Sequence, residues 1–362
     1  MIPIYEPYLN KKILKYAHDA IDSTWISSRG PFIDKAEEKL KELLDVKYIK
    51  LVNNGTSATH LCVKALLRKN SNIKNLIVPN NVYVAAWNTA LYENMRLIPI
   101  DADLQTWNAD FQSINSDDFD PNDTAISLVH NIGNIIDIAK VKKKFPNFII
   151  IEDNCEGFMG KYGKDYSGTQ SFCSSISFFG NKTITSGEGG AVVVSEEEAY
   201  NYINCIQGQG QSPTIRYIHD EIGYNYRMTN IQAAILYGQL EHLNEILDKK
   251  KFIFETYKNN LSNNNIFFQE QEPGTSHSRW MFGIRTNKNY KLISQFLHSK
   301  GIDSRQMFFP MSSHRHLTKV ANKNLEKNAK TLNETCIILP SYPNLKKKEI
   351  LYICENINKF LG

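Results

Sequence analysis

Apolar residues recur at helical spacing in several stretches of the chain. Ile33, Ala36, Leu40 and Leu43 share one face of a helix predicted over residues 33–44, and residues 56–67 repeat the pattern. Short apolar runs of strand length lie between and beyond these helices, at 48–52, 75–78, 96–100, 124–130 and 147–152. Strands apolar on both faces, alternating with amphipathic helices, predict an α/β domain whose mostly parallel sheet is flanked by helices. From 228 to about 258 the helical pattern runs on with few breakers, and the polar stretch 259–265 then opens a new set of elements. That set comprises a strand over 280–285, a helix over 290–298 and a terminal helix after Pro343. A large domain over 1–245, including the N-terminal segment, and a smaller C-terminal α/β domain over 246–362 are therefore expected.

Composition changes this picture little. A chain of 362 residues suits two cores better than one. Its 42% hydrophobic and 22% charged residues are the balance of a folded globular protein, not of a disordered or fibrous one. A net charge of +4, with acids and bases mixed throughout, gives no basic arm or stripe, so no nucleic-acid partner is expected, while a small anionic ligand fits. No basic-then-apolar leader and no apolar run of spanning length occurs, which predicts a cytoplasmic protein without a membrane segment. The six cysteines show no metal or disulfide spacing and read as buried free thiols. His314-Arg315-His316 has no third ligand beside it, so no metal is expected. The two glycines of 207–211 lack the strand-to-helix setting of a dinucleotide fingerprint.

Three segments carry candidate chemistry. Asn53-Asn54-Gly55-Thr56-Ser57-Ala58 follows a strand and opens a helix, so backbone N–H groups and the hydroxyls of Thr56 and Ser57 can converge on a phosphate. A plain turn with Thr56 or Ser57 as helix cap accounts for the same letters. Asp153 follows Glu152 at the end of an apolar strand, where open α/β sheets place ligand groups. A carboxylate there can keep a pyridine nitrogen protonated, or it can simply cap the next helix. Lys182 ends Ser177-Phe178-Phe179-Gly180-Asn181-Lys182 and precedes a glycine-rich stretch up to Gly190. Small neighbours let an aldehyde approach, and a desolvated amine beside a cationic ring suits imine chemistry. A surface lysine in a glycine-rich loop is the alternative.

In this order and at these separations, the three segments resemble the DegT/DnrJ/StrS sugar aminotransferases, a family of fold type I enzymes that depend on pyridoxal 5'-phosphate (PLP). The resemblance runs from Ile2-Pro3-Ile4 and Trp25-Ile26-Ser27-Ser28-Arg29-Gly30 to Leu339-Pro340-Ser341-Tyr342-Pro343. Its specific core is Phe179-Gly180-Asn181-Lys182 with Gly187-Glu188-Gly189-Gly190. It implies that Lys182 holds the cofactor as a Schiff base and shuttles the proton, and that Asp153 pairs with the ring nitrogen. Tyr83 is implied to stack on the ring, and Glu156 to lie near the phenolic oxygen. Gly55, Thr56, Ser57 and Ser177 are implied to hold the phosphate. Asn225 is implied to reach the phosphate of a neighbouring subunit, which makes a homodimer with shared active sites. A cap for the long helix, a part open also to Thr229, is the other reading of Asn225. For the nucleotide sugar the candidates are Trp25, Ser27, Arg29, Glu156, Arg227 and Arg305. Arg29 and Arg305 suit a diphosphate because a guanidinium matches its oxygens bidentately, although either can equally be a surface arginine. Gln306 stands where the family usually has proline.

The implied reaction takes an amino group from glutamate and delivers it to a keto-sugar carried by a nucleoside diphosphate. Within the family, the Ile2-Pro3-Ile4-Tyr5-Glu6-Pro7 opening, Trp25-Ile26-Ser27-Ser28 and the Phe308-Phe309-Pro310 that follows Arg305 most resemble the perosamine and viosamine synthases. That resemblance implies amination at C4 of a 4-keto-6-deoxyhexose. Three other readings are a 3-keto-sugar aminotransferase, a PLP-dependent sugar dehydratase and a non-catalytic regulatory relative. In the dehydratases a histidine replaces the lysine, so Lys182 speaks against that reading, and the set Asp153, Lys182 and Asn225 speaks against the regulatory one.

Overall fold

In the computed structural model, which describes residues 1–362, two helices, α1 (Lys11–Asp22) and α2 (Pro31–Leu44), precede the first strand, β1 (Tyr48–Val52). Strands and helices then alternate through α3 (Gly55–Lys69), β2 (Asn75–Pro79), α4 (Ala85–Tyr92), β3 (Arg96–Ile100), β4 (Thr124–Val129), α5 (Ile138–Lys144) and β5 (Ile150–Asp153). A short hairpin of β6 (Lys161–Tyr162) and β7 (Asp165–Tyr166) follows. After it, β8 (Cys173–Ser177) and β9 (Gly190–Val194) complete a seven-stranded sheet in the order β1-β9-β8-β5-β4-β2-β3. Only β9 runs antiparallel to its neighbours, so the sheet is mostly parallel as the apolar runs predicted.

The pleat sorts alternate residues of β9 into two cores. Val192 and Val194 pack with Leu61, Cys62 and Leu66 of α3, while Ala191 and Val193 face Leu40 of α2 and Ala233 and Leu236 of α7 (Asn230–Glu241). On α2 the buried apolar residues are Phe32, Ala36, Leu40 and Leu44, whereas the expected Ile33 and Leu43 are only half-buried. The stripe is thus turned slightly from the one the spacing predicts. On the α3 side, α6 (Glu197–Ile206) adds Ala199, Ile203 and Ile206 to the core.

The long helix expected from 228 is two helices. α7 starts behind Thr229, whose side chain forms a capping box with Gln232, and the backbone of His242 leaves helical geometry before α8 (Leu243–Asn260) begins. Leu243 and Ile246 still belong to the core of the large sheet, but Ile253, Phe254 and Tyr257 of α8 belong to a second core. The change of core therefore falls between Ile246 and Ile253, and we propose the domain boundary there, within α8 and just beyond the expected 245/246. The second core lies against a four-stranded antiparallel sheet that contains β10 (Ile266–Phe268) and β12 (Phe282–Thr286), with β11 (Thr275–Ser276) reaching over to pair with β6. Beyond α9 (Tyr290–Ser299), β13 (Arg305–Gln306) and α10 (Lys327–Thr335), β14 (Cys336–Leu339) completes that sheet and α11 (Lys347–Leu361) covers it. The strand order is β10-β12-β14-β13. The N-terminal residues touch this smaller unit, since the Ile2 N–H donates to the Gly301 carbonyl at 2.7 Å and the Ile2 carbonyl accepts from the Asp303 N–H at 3.0 Å.

No helix is long and apolar enough to cross a membrane. All six cysteines are unpaired; Cys155 and Cys205 are half-buried and the other four buried.

Candidate active site

Because β1, β5 and β8 run parallel, their carboxyl ends open onto one edge of the sheet, and the three segments singled out in the sequence meet there. They line one cavity of about 380 Å³, joined by residues of the smaller unit.

The first wall is the start of α3. Asn54, and neither Thr56 nor Ser57, caps this helix: its side chain accepts from the Ser57 N–H at 2.8 Å. Thr56 is thereby left exposed on the cavity wall, while the Ser57 side chain is buried and does not line it. The N–H groups of Gly55 and Thr56 lie in the first helical turn, where no carbonyl of the helix can satisfy them. Gly55 sits so close to Ser177 that a Cβ would stand 2.7 Å from the serine Cβ, so this approach requires glycine.

The second wall is the end of β5. Asp153 is buried, and its Oδ1 accepts from the Cys155 N–H at 3.1 Å and lies 3.5 Å from the Ser175 hydroxyl. Ser175 in turn lies 2.9 Å from the hydroxyl of Thr59, one turn along α3. The other carboxylate oxygen of Asp153 makes no hydrogen bond within the chain and is free for a ligand in the cavity.

The third wall is the β8–β9 connection. Phe178 ties it shut, its N–H donating to the Gly189 carbonyl at 2.8 Å and its carbonyl accepting from the Ser186 N–H at 3.0 Å. Lys182 projects from this loop with its Nζ 3.9 Å from the centroid of the Trp280 ring and 3.8 Å from Glu156 Oε1. Its main chain is held as well, by the Tyr5 hydroxyl donating to its carbonyl at 2.6 Å. Burial raises the carboxyl of Glu156 to about 7, against the opposing pull of Lys182 and of the Ile132 N–H, which donates to Oε2 at 2.8 Å.

Tyr83 lines the cavity, exposed and edge-on to Phe308, and Arg305 lines it from β13. Three wall residues, Thr59, Cys155 and Trp280, were not singled out by sequence, and Asn54, Phe179, Glu188 and Phe308 stood in the quoted motifs without a role of their own. Thr59 had a signal, because it is four residues from Gly55 and so on the same helical face. Trp280 had none, since only the packing of the smaller unit brings it to the lysine.

Asn225, Arg227, Trp25, Ser27 and Arg29 do not line this cavity. They gather at the start of α7, where the side chain of Asn230 donates to the Trp25 carbonyl at 2.7 Å and its N–H to the Ser27 carbonyl at 2.6 Å. Trp25, Ser27, Arg29 and Asn225 are exposed there. Asn225 is not the cap of α7, because Thr229 is. Its segment is instead fastened to the turn after β1: the Asn53 N–H donates to the Tyr226 carbonyl at 2.7 Å, and the Asn53 side chain to the Asn225 carbonyl at 3.4 Å.

The donor set fits a phosphorylated pyridine aldehyde: a helix start with free N–H groups beside Gly55 and the Ser177 hydroxyl, a carboxylate oxygen without a partner, and an amine facing the same cavity. The sheet order and this arrangement define a fold type I PLP-dependent transferase. Solved structures of that fold superpose closely: Helicobacter pylori PseC, an aminotransferase involved in the biosynthesis of pseudoaminic acid, has a TM-score of 0.91 at 22% identity, over 99% of each chain. The E. coli GDP-4-keto-6-deoxy-D-mannose-3-dehydratase with bound hydrated PLP has a TM-score of 0.91 at 21% identity, covering 98% of this chain and 99% of its own. At such identities the likeness speaks for the fold alone.

The chain belongs to the DegT/DnrJ/EryC1/StrS aminotransferase family, whose model matches residues 7–358. It is 37% identical to the GDP-perosamine synthase of Escherichia coli O157:H7, over 99% of this chain and 98% of that relative. It is 33% identical to the GDP-perosamine synthase of Vibrio cholerae over the full length of both.

Proposed function

We propose that this protein is a PLP-dependent aminotransferase that transfers an amino group from glutamate to C4 of a nucleotide-linked 4-keto-6-deoxyhexose. The observation that carries it is the Lys182 amine facing, in one cavity, the free oxygen of Asp153 and the start of α3. The two relatives named GDP-perosamine synthase favour guanosine diphosphate as the carrier and perosamine as the sugar product. Six unpaired thiols suit a reducing, cytoplasmic setting.

When bound, PLP supplies an aldehyde that takes up the amino group and a cationic ring that draws electrons from the reacting carbon. Gly55, Thr56 and Ser177 would hold the phosphate, whereas Ser57, also expected there, is buried away from the cavity with its N–H bound to Asn54. Asp153 keeps the ring nitrogen protonated, and its own orientation is set by Cys155, Ser175 and Thr59. The amine of Lys182 takes the α-proton of glutamate and later returns a proton at the sugar C4. Glu156, with its carboxyl near 7, can hold or give up a proton beside that amine, and would lie near the cofactor's phenolic oxygen. Tyr83, Arg305 and Glu156 all line the cavity, where Tyr83 would cover the ring and Arg305 with Glu156 would meet the sugar nucleotide. The exposed Trp25, Ser27, Arg29 and Asn225, with the half-buried Arg227, would complete the cavity of a second copy of the chain, making the enzyme a homodimer.

Dehydration of the same class of keto-sugar is disfavoured by Lys182 itself, a residue that can both form and release an amine linkage. The test is to incubate purified protein with PLP, glutamate and a panel of 4-keto and 3-keto nucleotide sugars and to locate the new amine. A C4 amine with consumption of glutamate is expected, with no turnover in Lys182→Ala; a deoxygenated or C3-aminated product would overturn the proposal.

A further inference from the structure

One buried amine takes no part in this reading. Lys250 of α8 has none of its surface exposed. Its Nζ donates to the Trp280 carbonyl at 2.6 Å and to the Ser341 carbonyl, and stands 5.5 Å from the centroid of the Tyr5 ring. Burial alone pulls this ammonium down to about 7, with no carboxylate acting on it. A methionine would fill similar space without the cost of desolvating an amine, so what Lys250 holds in place matters more than its volume.

Both aromatic residues beside it reach the lysine loop. The Trp280 indole donates to the Asn181 carbonyl at 2.7 Å and lays its ring against the Lys182 amine. The Tyr5 hydroxyl holds the Lys182 carbonyl from the other side. Ser341, the second acceptor of Lys250, also receives the Phe282 N–H on its hydroxyl at 3.1 Å, so the same amine fixes the chain where β12 leaves Trp280.

We propose that Lys250 is a positioning residue for the reaction: by binding the Trp280 and Ser341 carbonyls it holds the Trp280–Tyr5 clamp on the lysine loop and sets the direction of the Lys182 amine. This rests on Lys182 being the reacting amine. A misplacement of about 1 Å at a reacting atom costs roughly a hundredfold in rate, so a residue that never meets substrate can govern turnover.

The test uses the full chain loaded with PLP, in Lys250→Met and in Lys250→Gln, which keeps N–H donors. It reads kcat, KM for the keto-sugar, the pH midpoint of the cofactor's visible band and thermal unfolding. In Lys250→Met kcat is expected to fall at least about tenfold with KM within roughly threefold of wild type, and the band midpoint to move. Lys250→Gln should recover part of both. Adding Lys250→Met to Trp280→Leu should bring no loss beyond Trp280→Leu alone, because both act through one contact. Wild-type kcat and midpoint in a folded Lys250 variant, or losses that multiply with Trp280→Leu, would overturn the proposal. If Lys250→Met does not fold, Lys250→Gln and Tyr5→Phe decide, and an unmoved midpoint in both overturns it. Failure of the underlying reading looks different: borohydride reduction of wild-type, PLP-loaded protein would then leave no label on Lys182, whatever Lys250 does.

Discussion

A Cβ placed on Gly55 would stand 2.7 Å from the Cβ and 2.9 Å from the Oγ of Ser177, so the start of α3 and the end of β8 meet as closely as a bare main chain permits. Gly55→Ala must push these two walls of the phosphate cradle apart. Overpacking of this kind costs roughly 1–3 kcal/mol of stability. The variant is expected to stay folded and to bind PLP at least about tenfold more weakly, about 1.4 kcal/mol. Titration of the visible band against PLP concentration measures this, and unchanged affinity would place the phosphate elsewhere.

Thr59→Val removes the hydroxyl that stands behind Ser175 and so behind Asp153. The loss of one buried hydrogen bond costs about 1 kcal/mol in stability. A larger effect is expected on kcat, several-fold down, because the carboxylate that faces the ring loses its support. Steady-state kinetics alongside urea unfolding separate the two, and a kcat equal to wild type would show that Asp153 is oriented without Thr59.

Glu156 makes the cofactor-free protein sensitive to pH. Burial raises its carboxyl in the folded chain to about 7 from the ordinary 4.5 of a glutamate, so between those values the native state keeps a proton that the unfolded chain has lost. Stability from this group therefore falls as pH rises through that window, and the full cost of burying the charge is present above it. Glu156→Gln should be more stable than wild type at about pH 8, by on the order of 1–3 kcal/mol, and nearly equal to it below the window. Urea unfolding at both ends of the range checks this; a constant difference would mean that the carboxyl is not protonated in the folded state.

Sharing of sites can be read from hybrids. Lys182→Ala and Asn225→Ala are each expected to turn over poorly. Random mixing of the two should restore roughly a quarter of wild-type activity, since half the dimers are hybrids and each hybrid has one intact site. Activity that stays at the sum of the two parents would show that Asn225 serves its own chain.

Much of this was legible in the letters because it is local. The strands at 48–52, 96–100 and 150–153, the helix after Gly55, and the lysine before a glycine-rich turn all announce themselves within a dozen residues. What the letters hid is what the tertiary fold decides. The helix expected through 242 breaks there, and nothing in the composition around His242 marks the break. Asn54 took the capping role from Thr56 and Ser57 because all three are good caps, and only the backbone path chooses among them. Trp280 and Tyr5, which grip the lysine loop, stand 98 and 177 residues from Lys182 and carry no mark of that contact in their neighbours.

The hydrogen bonds from Asn53 to Asn225 and Tyr226 join the loop that would cradle a chain's own phosphate to the residue that would serve its twin's. Filling one cavity then tightens a part of the other, and thermodynamic linkage makes the effect mutual. The two halves of the dimer should accordingly load PLP cooperatively, with a Hill coefficient above one that drops to unity in Asn53→Ala, whereas a non-cooperative wild-type isotherm would mean that the halves fill independently.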